Sequence, residues 1–216
     1  MREAVELTGV ILSHQPVGEF DKRLVILTRE EGKITAFARG ARRPKSAVLA
    51  ATNPFVFAKF TLYEGRNAYT LASAEVAEYF DKLPQMIPGV WYGFYMLEMA
   101  DYFGKWGLPS HDTVNLLFVA FRALLKGHMP PDLIRRVFEI RMLVINGEYA
   151  PPEEPEEMER SAYHALVHAS LSPLSGLFSF DLSEQAKRDF CGAAETAVRK
   201  ACDRPFKSLA VIEEMV

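Results

Sequence analysis

Residues 33 to 46 read Lys33-Ile34-Thr35-Ala36-Phe37-Ala38-Arg39-Gly40-Ala41-Arg42-Arg43-Pro44-Lys45-Ser46. Side chains along a strand point alternately to its two faces. One face of this stretch is therefore Ile34, Ala36, Ala38 and Gly40, small and apolar, and the other is Lys33, Thr35, Phe37 and Arg39, cationic and aromatic. The spacing predicts a strand over 32–40 with an apolar face for a core and a mixed face for something else. After it, Gly40 and Pro44 forbid a regular helix. The nine residues 38–46 hold four cations and no acid, so a loop presents them.

The same rhythm extends to both sides. Strands are expected near 4–13, 22–29, 53–64 and 68–76, with turn residues between them: Gly18, then Glu31-Gly32, then Glu64-Gly65-Arg66-Asn67. The fourth strand repeats the contrast of the third. Val56, Ala58, Phe60 and Leu62 suit an interior, while Phe55, Phe57, Lys59, Thr61 and Tyr63 face outward. Five short strands with a long loop in the middle point to an OB-like barrel.

From Pro84 onward the period becomes helical. Val114, Leu117, Phe118, Phe121, Leu124 and Leu125 form one apolar stripe on a helix begun by Ser110 or Asp112 and ended near Gly127. Pro131 to Asn146 is apolar on most sides and reads as the central helix of a bundle. Further helices are expected at 85–104, 156–170, 183–202 and 206–215, and the Pro- and Glu-rich stretch 150–159 reads as a solvated connection. The fold class is α+β: a five-stranded OB-fold barrel over 1–80, then an all-helical domain over 81–216.

Charge follows this division. The chain of 216 residues carries a net −3, yet residues 1–72 hold 11 Lys+Arg against 7 Asp+Glu, and residues 73–216 hold 14 against 21. A basic barrel sits on an acidic remainder. The start has no apolar signal core and no stretch is long enough to span a membrane, so the expected compartment is the cytoplasm, close to the nucleoid. The two cysteines, Cys191 and Cys202, would stand roughly 16 Å apart along one helix, too far for a disulfide or a shared metal.

Enzyme signatures are missing: there is no GxxxxGK[ST], no GxGxxG after a strand, no GxSxG and no HExxH. His164 and His168 stand at i, i+4, but no third and fourth ligand accompanies them. Neither catalysis, a cofactor nor a metal is expected. An outward face of rings and cations is instead what single-stranded nucleic acid requires, because bases stack on rings while Lys or Arg neutralises the backbone. For Phe55 and Phe57 a second reading stands beside base stacking, namely packing against the helical domain.

Several blocks carry a family resemblance: Gly18-Glu19-Phe20-Asp21-Lys22-Arg23-Leu24, Leu27-Thr28 with Glu31-Gly32, Ala38 to Ser46, and Leu62-Tyr63. In order and spacing they resemble the N-terminal half of the bacterial RecO family, and weaker similarity continues through Trp91 to Leu97, Leu177-Phe178-Ser179-Phe180 and Phe206-Lys207-Ser208-Leu209. The resemblance implies an OB fold followed by helices, in a recombination mediator that binds single- and double-stranded DNA and anneals strands without ATP. It further implies work with RecR and single-stranded DNA-binding protein, and indirectly with the RecA recombinase. Many family members carry a four-cysteine zinc module after the third helix. Here that position reads Gly147-Glu148-Tyr149-Ala150-Pro151-Pro152-Glu153, so zinc is not carried over.

The expected DNA surface comprises Lys22, Arg23, Lys33, Phe37, Arg39, Arg42, Arg43, Lys45 and Lys59. A partner surface is expected at Arg135, Arg136 and Arg141, which with apolar neighbours would line a groove for an acidic peptide. Two rival readings share these residues: a protein adaptor with the barrel as docking platform, and an RNA-binding OB protein.

Overall fold

A computed structural model describes residues 3–151, 153 and 158–215. It contains five strands: β1 (Ala4–Val17), β2 (Asp21–Thr28), β3 (Gly32–Ala38), β4 (Phe57–Glu64) and β5 (Tyr69–Glu78). They close into a barrel in the order β1-β2-β3-β5-β4. Every neighbouring pair is antiparallel except β3 with β5, which run parallel and meet only at Ala36–Tyr69 and Phe37–Thr70. Six helices follow among the described residues: α1 (Gly89–Phe103), α2 (His111–Lys126), α3 (Pro131–Ile145), α4 (Arg160–Leu171), α5 (Glu184–Ala201) and α6 (Lys207–Met215). The OB-fold barrel followed by helices is thus the fold.

The inward faces are those the alternation assigns. Ile34, Ala36 and Ala38 of β3 join Val56, Ala58, Phe60 and Leu62, with Leu24 and Ile26 of β2, in one buried core. Four boundaries move, one of them the start of α1, which lies at Gly89 rather than 85 because a 3₁₀ turn occupies Leu83–Gln85. β1 runs on to Val17, because a bulge between Ile11 and Ser13 lets the strand bend and continue beside β2. β4 starts at Phe57, since a short 3₁₀ turn occupies Ala50–Thr52 and Phe55 takes φ +72°. α4 begins at Arg160; of the expected Pro- and Glu-rich connection 150–159, residues 152 and 154–157 lie outside the described ones.

The chain divides into two compact units, Met1–Asp81 with Leu97–Val114, and Lys82–Met96 with Asn115–Val216. In the first, the segment after α1 packs on the barrel. Lys33 N–H donates to the Lys105 carbonyl (3.0 Å), Gly107 N–H to the Glu31 carbonyl (3.0 Å), and Gly32 bridges Trp106. The Trp106 ring stacks on Tyr69 at 5.7 Å, beside the short β3–β5 seam. In the second unit α3 is central, burying Leu133, Ile134, Val137, Phe138, Ile140, Met142 and Leu143. The expectation from its all-round apolarity holds.

Gly32 is among the tightest points of the first unit. It sits at φ +67°, and a Cβ there would lie 2.2 Å from the Lys105 carbonyl oxygen and 2.3 Å from that of Leu108. Both obstacles are backbone, so neither can swing aside. Gly32→Ala combines a left-handed backbone with forced overpacking and should destabilise by about 2–5 kcal/mol. Urea denaturation checks this, and an unchanged midpoint would contradict the packing described.

Candidate nucleic-acid interface

The loop after β3 is built into the barrel at both ends. At its start Ala41 is fully buried in the barrel core. On either side of it two hydrogen bonds fix the backbone: Gly40 N–H donates to Asp21 Oδ1 (2.7 Å) and Arg42 N–H to the Phe20 carbonyl (2.8 Å). Burying a methyl between two tethered residues turns Arg39 and Arg42 outward. Gly40 makes the turn at φ +64°. Further on, Arg43 N–H bonds the Gly40 carbonyl (3.1 Å), Ser46 N–H that of Arg43 (3.1 Å) and Leu49 N–H that of Ser46 (3.2 Å), a run of successive turns. The Arg43 guanidinium lies over the Phe20 ring at 5.1 Å, and Arg42 Nη1 reaches the Gly18 carbonyl at 3.4 Å.

Lys22 fixes the other end. Its ammonium donates to Asn53 Oδ1 (2.9 Å), Thr52 Oγ1 (3.1 Å) and the Thr52 carbonyl (3.4 Å), and the residue is only 6% exposed. Burial first, and the charge of Arg42 second, pull its ammonium below the usual lysine range. The expectation that Lys22 faces DNA is therefore corrected: in β2 it shares the inward register of Leu24 and Ile26, and it ties down the loop. Arg23, one residue on, is exposed.

The remaining expected residues fall into two groups. Arg39, Arg42, Arg43 and Lys45 are exposed, and with Arg23 none of them meets a carboxylate among the described residues. Phe37 is half-buried on the outer face, opposite Arg23 in the β2–β3 register. Lys33 and Lys59 are engaged elsewhere. Lys33 Nζ sits 3.3 Å from Asp101 Oδ1 and donates to the Asp101 carbonyl (2.5 Å), while Lys59 Nζ is 2.6 Å from Glu6 Oε2. Local acids answer these two charges. Phe55 and Phe57 are buried at 1% and 6%, Phe57 edge-on to Phe80 at 5.5 Å, which removes them from any stacking surface.

In the helical unit the three expected arginines have structural work. Glu139 is fully buried; it accepts a hydrogen bond from Tyr95 Oη (2.7 Å), Arg136 Nη1 lies 3.0 Å and Arg135 Nη1 3.6 Å from it. Arg136 also meets Glu195 at 3.1 Å. Burial, then the Glu139 carboxylate, hold the Tyr95 phenol well above the ordinary tyrosine value, so it stays a donor. Arg141 donates to the carbonyls of Ala169 (2.7 Å) and Ser172 (2.6 Å), closing the C-terminus of α4. Separately, Arg122, Lys126 and His128 line a groove of about 610 Å³ with Phe178 and Phe180. Its signal in the sequence was the basic end of the α2 stripe, legible only once the two phenylalanines are placed beside it. His168 bonds Gly176 and Ser172, a structural role. The chain has two cysteines, no four-cysteine set for zinc exists, and no cluster of three metal-binding side chains occurs among the described residues.

The sorting of cations is testable by salt dependence. Binding to a single strand weakens with log[salt] at a slope of about −0.7 per phosphate contacted. Replacing Arg42, Arg43 and Lys45 together by alanine should flatten that slope by about 2, whereas Lys33→Ala or Lys59→Ala should leave it nearly unchanged. Equal effects from both sets would overturn the division. For the helical unit, Arg136→Ala strips a buried carboxylate of its nearer partner and should cost about 3 kcal/mol in chemical denaturation.

Comparison with known proteins agrees with this architecture. Residues 1–80 match the family model described as recombination protein O N terminal. A DNA repair protein RecO of Alkaliphilus metalliredigens is 34% identical over 143 residues, 66% of this chain and 58% of that protein. Another, of Caldicellulosiruptor bescii, is 31% identical over 143 residues, again 58% of its length, so the matched stretch spans under two thirds of either relative. A DNA repair protein RecO of Acetivibrio thermocellus is 25% identical over 244 residues, covering 98% of this chain and 97% of that one. The barrel therefore belongs to the recombination protein O N-terminal family, and the chain that carries it is a RecO-like protein.

Proposed function

We propose that this chain is a DNA repair and recombination mediator. It binds single- and double-stranded DNA, anneals complementary strands without ATP, and helps load recombinase onto DNA coated with single-stranded DNA-binding protein. One observation carries the reading: five exposed cations, Arg23, Arg39, Arg42, Arg43 and Lys45, stand on one end of an OB barrel with no carboxylate partner among the described residues, in an acidic chain. Neutral burial would hide such charges and a protein surface would pair them; a phosphate backbone answers them. Annealing then follows from screening. Two strands held against one cationic surface repel each other less, and pairing proceeds without a covalent step or a nucleotide.

The partners implied are RecR, single-stranded DNA-binding protein and, through them, RecA. For an acidic protein tail the groove with Arg122, Lys126, His128, Phe178 and Phe180 is better suited than Arg135, Arg136 and Arg141. Its cations are exposed, and its rings offer an apolar seat beside them. The adaptor reading thus becomes a second activity of the helical unit, complementary to DNA binding by the barrel.

A strand-annealing assay without ATP or added zinc, on DNA coated with single-stranded DNA-binding protein, tests the proposal. The unaltered chain should accelerate annealing, the loop triple variant should lose most of that acceleration, and Arg122→Glu with Lys126→Glu should lose it only on coated DNA. No acceleration by the unaltered chain on bare or coated strands would overturn the reading. Preference for RNA over DNA oligonucleotides in competition would move it to the RNA-binding class.

A further inference from the structure

The register of the closed barrel lines up one transverse row of outward side chains. Arg23 of β2 pairs with Phe37 of β3, Phe37 with Thr70 of β5, and Thr70 with Tyr63 of β4. Each pairing is a step to the next strand at about 4.8 Å, so Phe37 and Tyr63 stand about 10 Å apart with a small hydroxyl residue between them. Tyr63 is 41% exposed, Phe37 is half-buried, and no other ring among the described residues stacks on either. Both neighbours of Tyr63 in its strand, Leu62 and Glu64, have ordinary roles: Leu62 is in the core and Glu64 ends the strand.

We infer that Tyr63 and Phe37 form a stacking row for the bases of a single strand that crosses the barrel from Arg23 to Tyr63, with its backbone along Arg39 and the loop cations. The inference rests on the DNA-binding reading and gives it a direction. An exposed ring aligned with a second one offers the faces on which bases stack. The strand runs perpendicular to β2, β3, β5 and β4. Its phosphates lie on the side of Arg23, Arg39, Arg42 and Arg43, since beyond Tyr63 the cation Arg66 shares its groove with two acids, Glu3 and Glu64, and Lys59 is already held by Glu6. Stacking on this row is tolerant of sequence, because every base has a π face.

The experiment uses the full chain and a fluorescein-labelled oligothymidylate, with anisotropy read over a series of salt concentrations. Tyr63→Ala should weaken binding by roughly fivefold to a hundredfold at every salt concentration and leave the log–log slope unaltered, because it removes a ring and no phosphate contact. Tyr63→Phe should bind like the parent, and Tyr63→Leu replaces Tyr63→Ala should the latter melt early. Parental affinity in Tyr63→Ala, with the loop triple variant still weakened, would overturn the stacking row alone and assign the ring to a protein partner. A flattened slope in Tyr63→Ala would overturn it too, showing that the ring acts through the cations. Failure of the unaltered chain to bind the oligonucleotide would overturn the DNA-binding reading itself, and the row with it.

Discussion

The barrel closes through two residue pairs. Where the parallel strands β3 and β5 meet, Ala36 faces Tyr69 and Phe37 faces Thr70, and the ladder goes no further. Parallel pairing needs a crossover rather than a hairpin, and here the crossover is the long loop that leaves β3 at Arg39 and returns through β4. Closure and loop are thus one constraint: the chain cannot bring β5 beside β3 without throwing residues 39–56 across the end of the barrel. The seam's remaining length is covered by the segment after α1, where Gly32 bridges Trp106 and Trp106 lies on Tyr69.

Loops forced by topology are often loosely held, but this one is tied at both ends. Ala41 enters the core, Asp21 and Phe20 take the two flanking amides, and Lys22 clasps Thr52 and Asn53. A cation buried in this way carries a desolvation cost, and three oxygen acceptors offset it. The exposed arginines are thereby held in place, so the binding proposed above would require less ordering of the loop than a free tether.

Much of this was legible in the residues and some was not. Alternation in 33–39 and 58–63 separated core from surface correctly, because period two survives in any strand whose one face is buried; Phe57, expected outward, is instead buried edge-on to Phe80. The same rule applied to 22, 24 and 26 places Lys22 inside; its charge and its neighbour Arg23 drew it outward in the sequence reading. Phe55 escaped alternation because it lies before the strand at a positive φ. The partners of Lys33, Lys59, Arg136 and Arg141 come from elements distant in sequence, and no local pattern announces Asp101, Glu6, Glu195 or the end of α4. The row from Arg23 to Tyr63 was beyond reach for a similar reason: each member lies on the outer face of its own strand, but their alignment depends on the parallel seam.

The pairing of Lys33 with Asp101 and of Lys59 with Glu6 has a consequence for encounter rather than for binding. With those cations answered where they stand, five cations without a carboxylate partner among the described residues, Arg23, Arg39, Arg42, Arg43 and Lys45, gather at one end of the barrel while the chain carries a net −3. For the binding proposed above, a polyanion near the barrel would be drawn to that end, and the two paired lysines would add little to the attraction. Asp101 and Glu6 would thus shape the encounter without touching the strand.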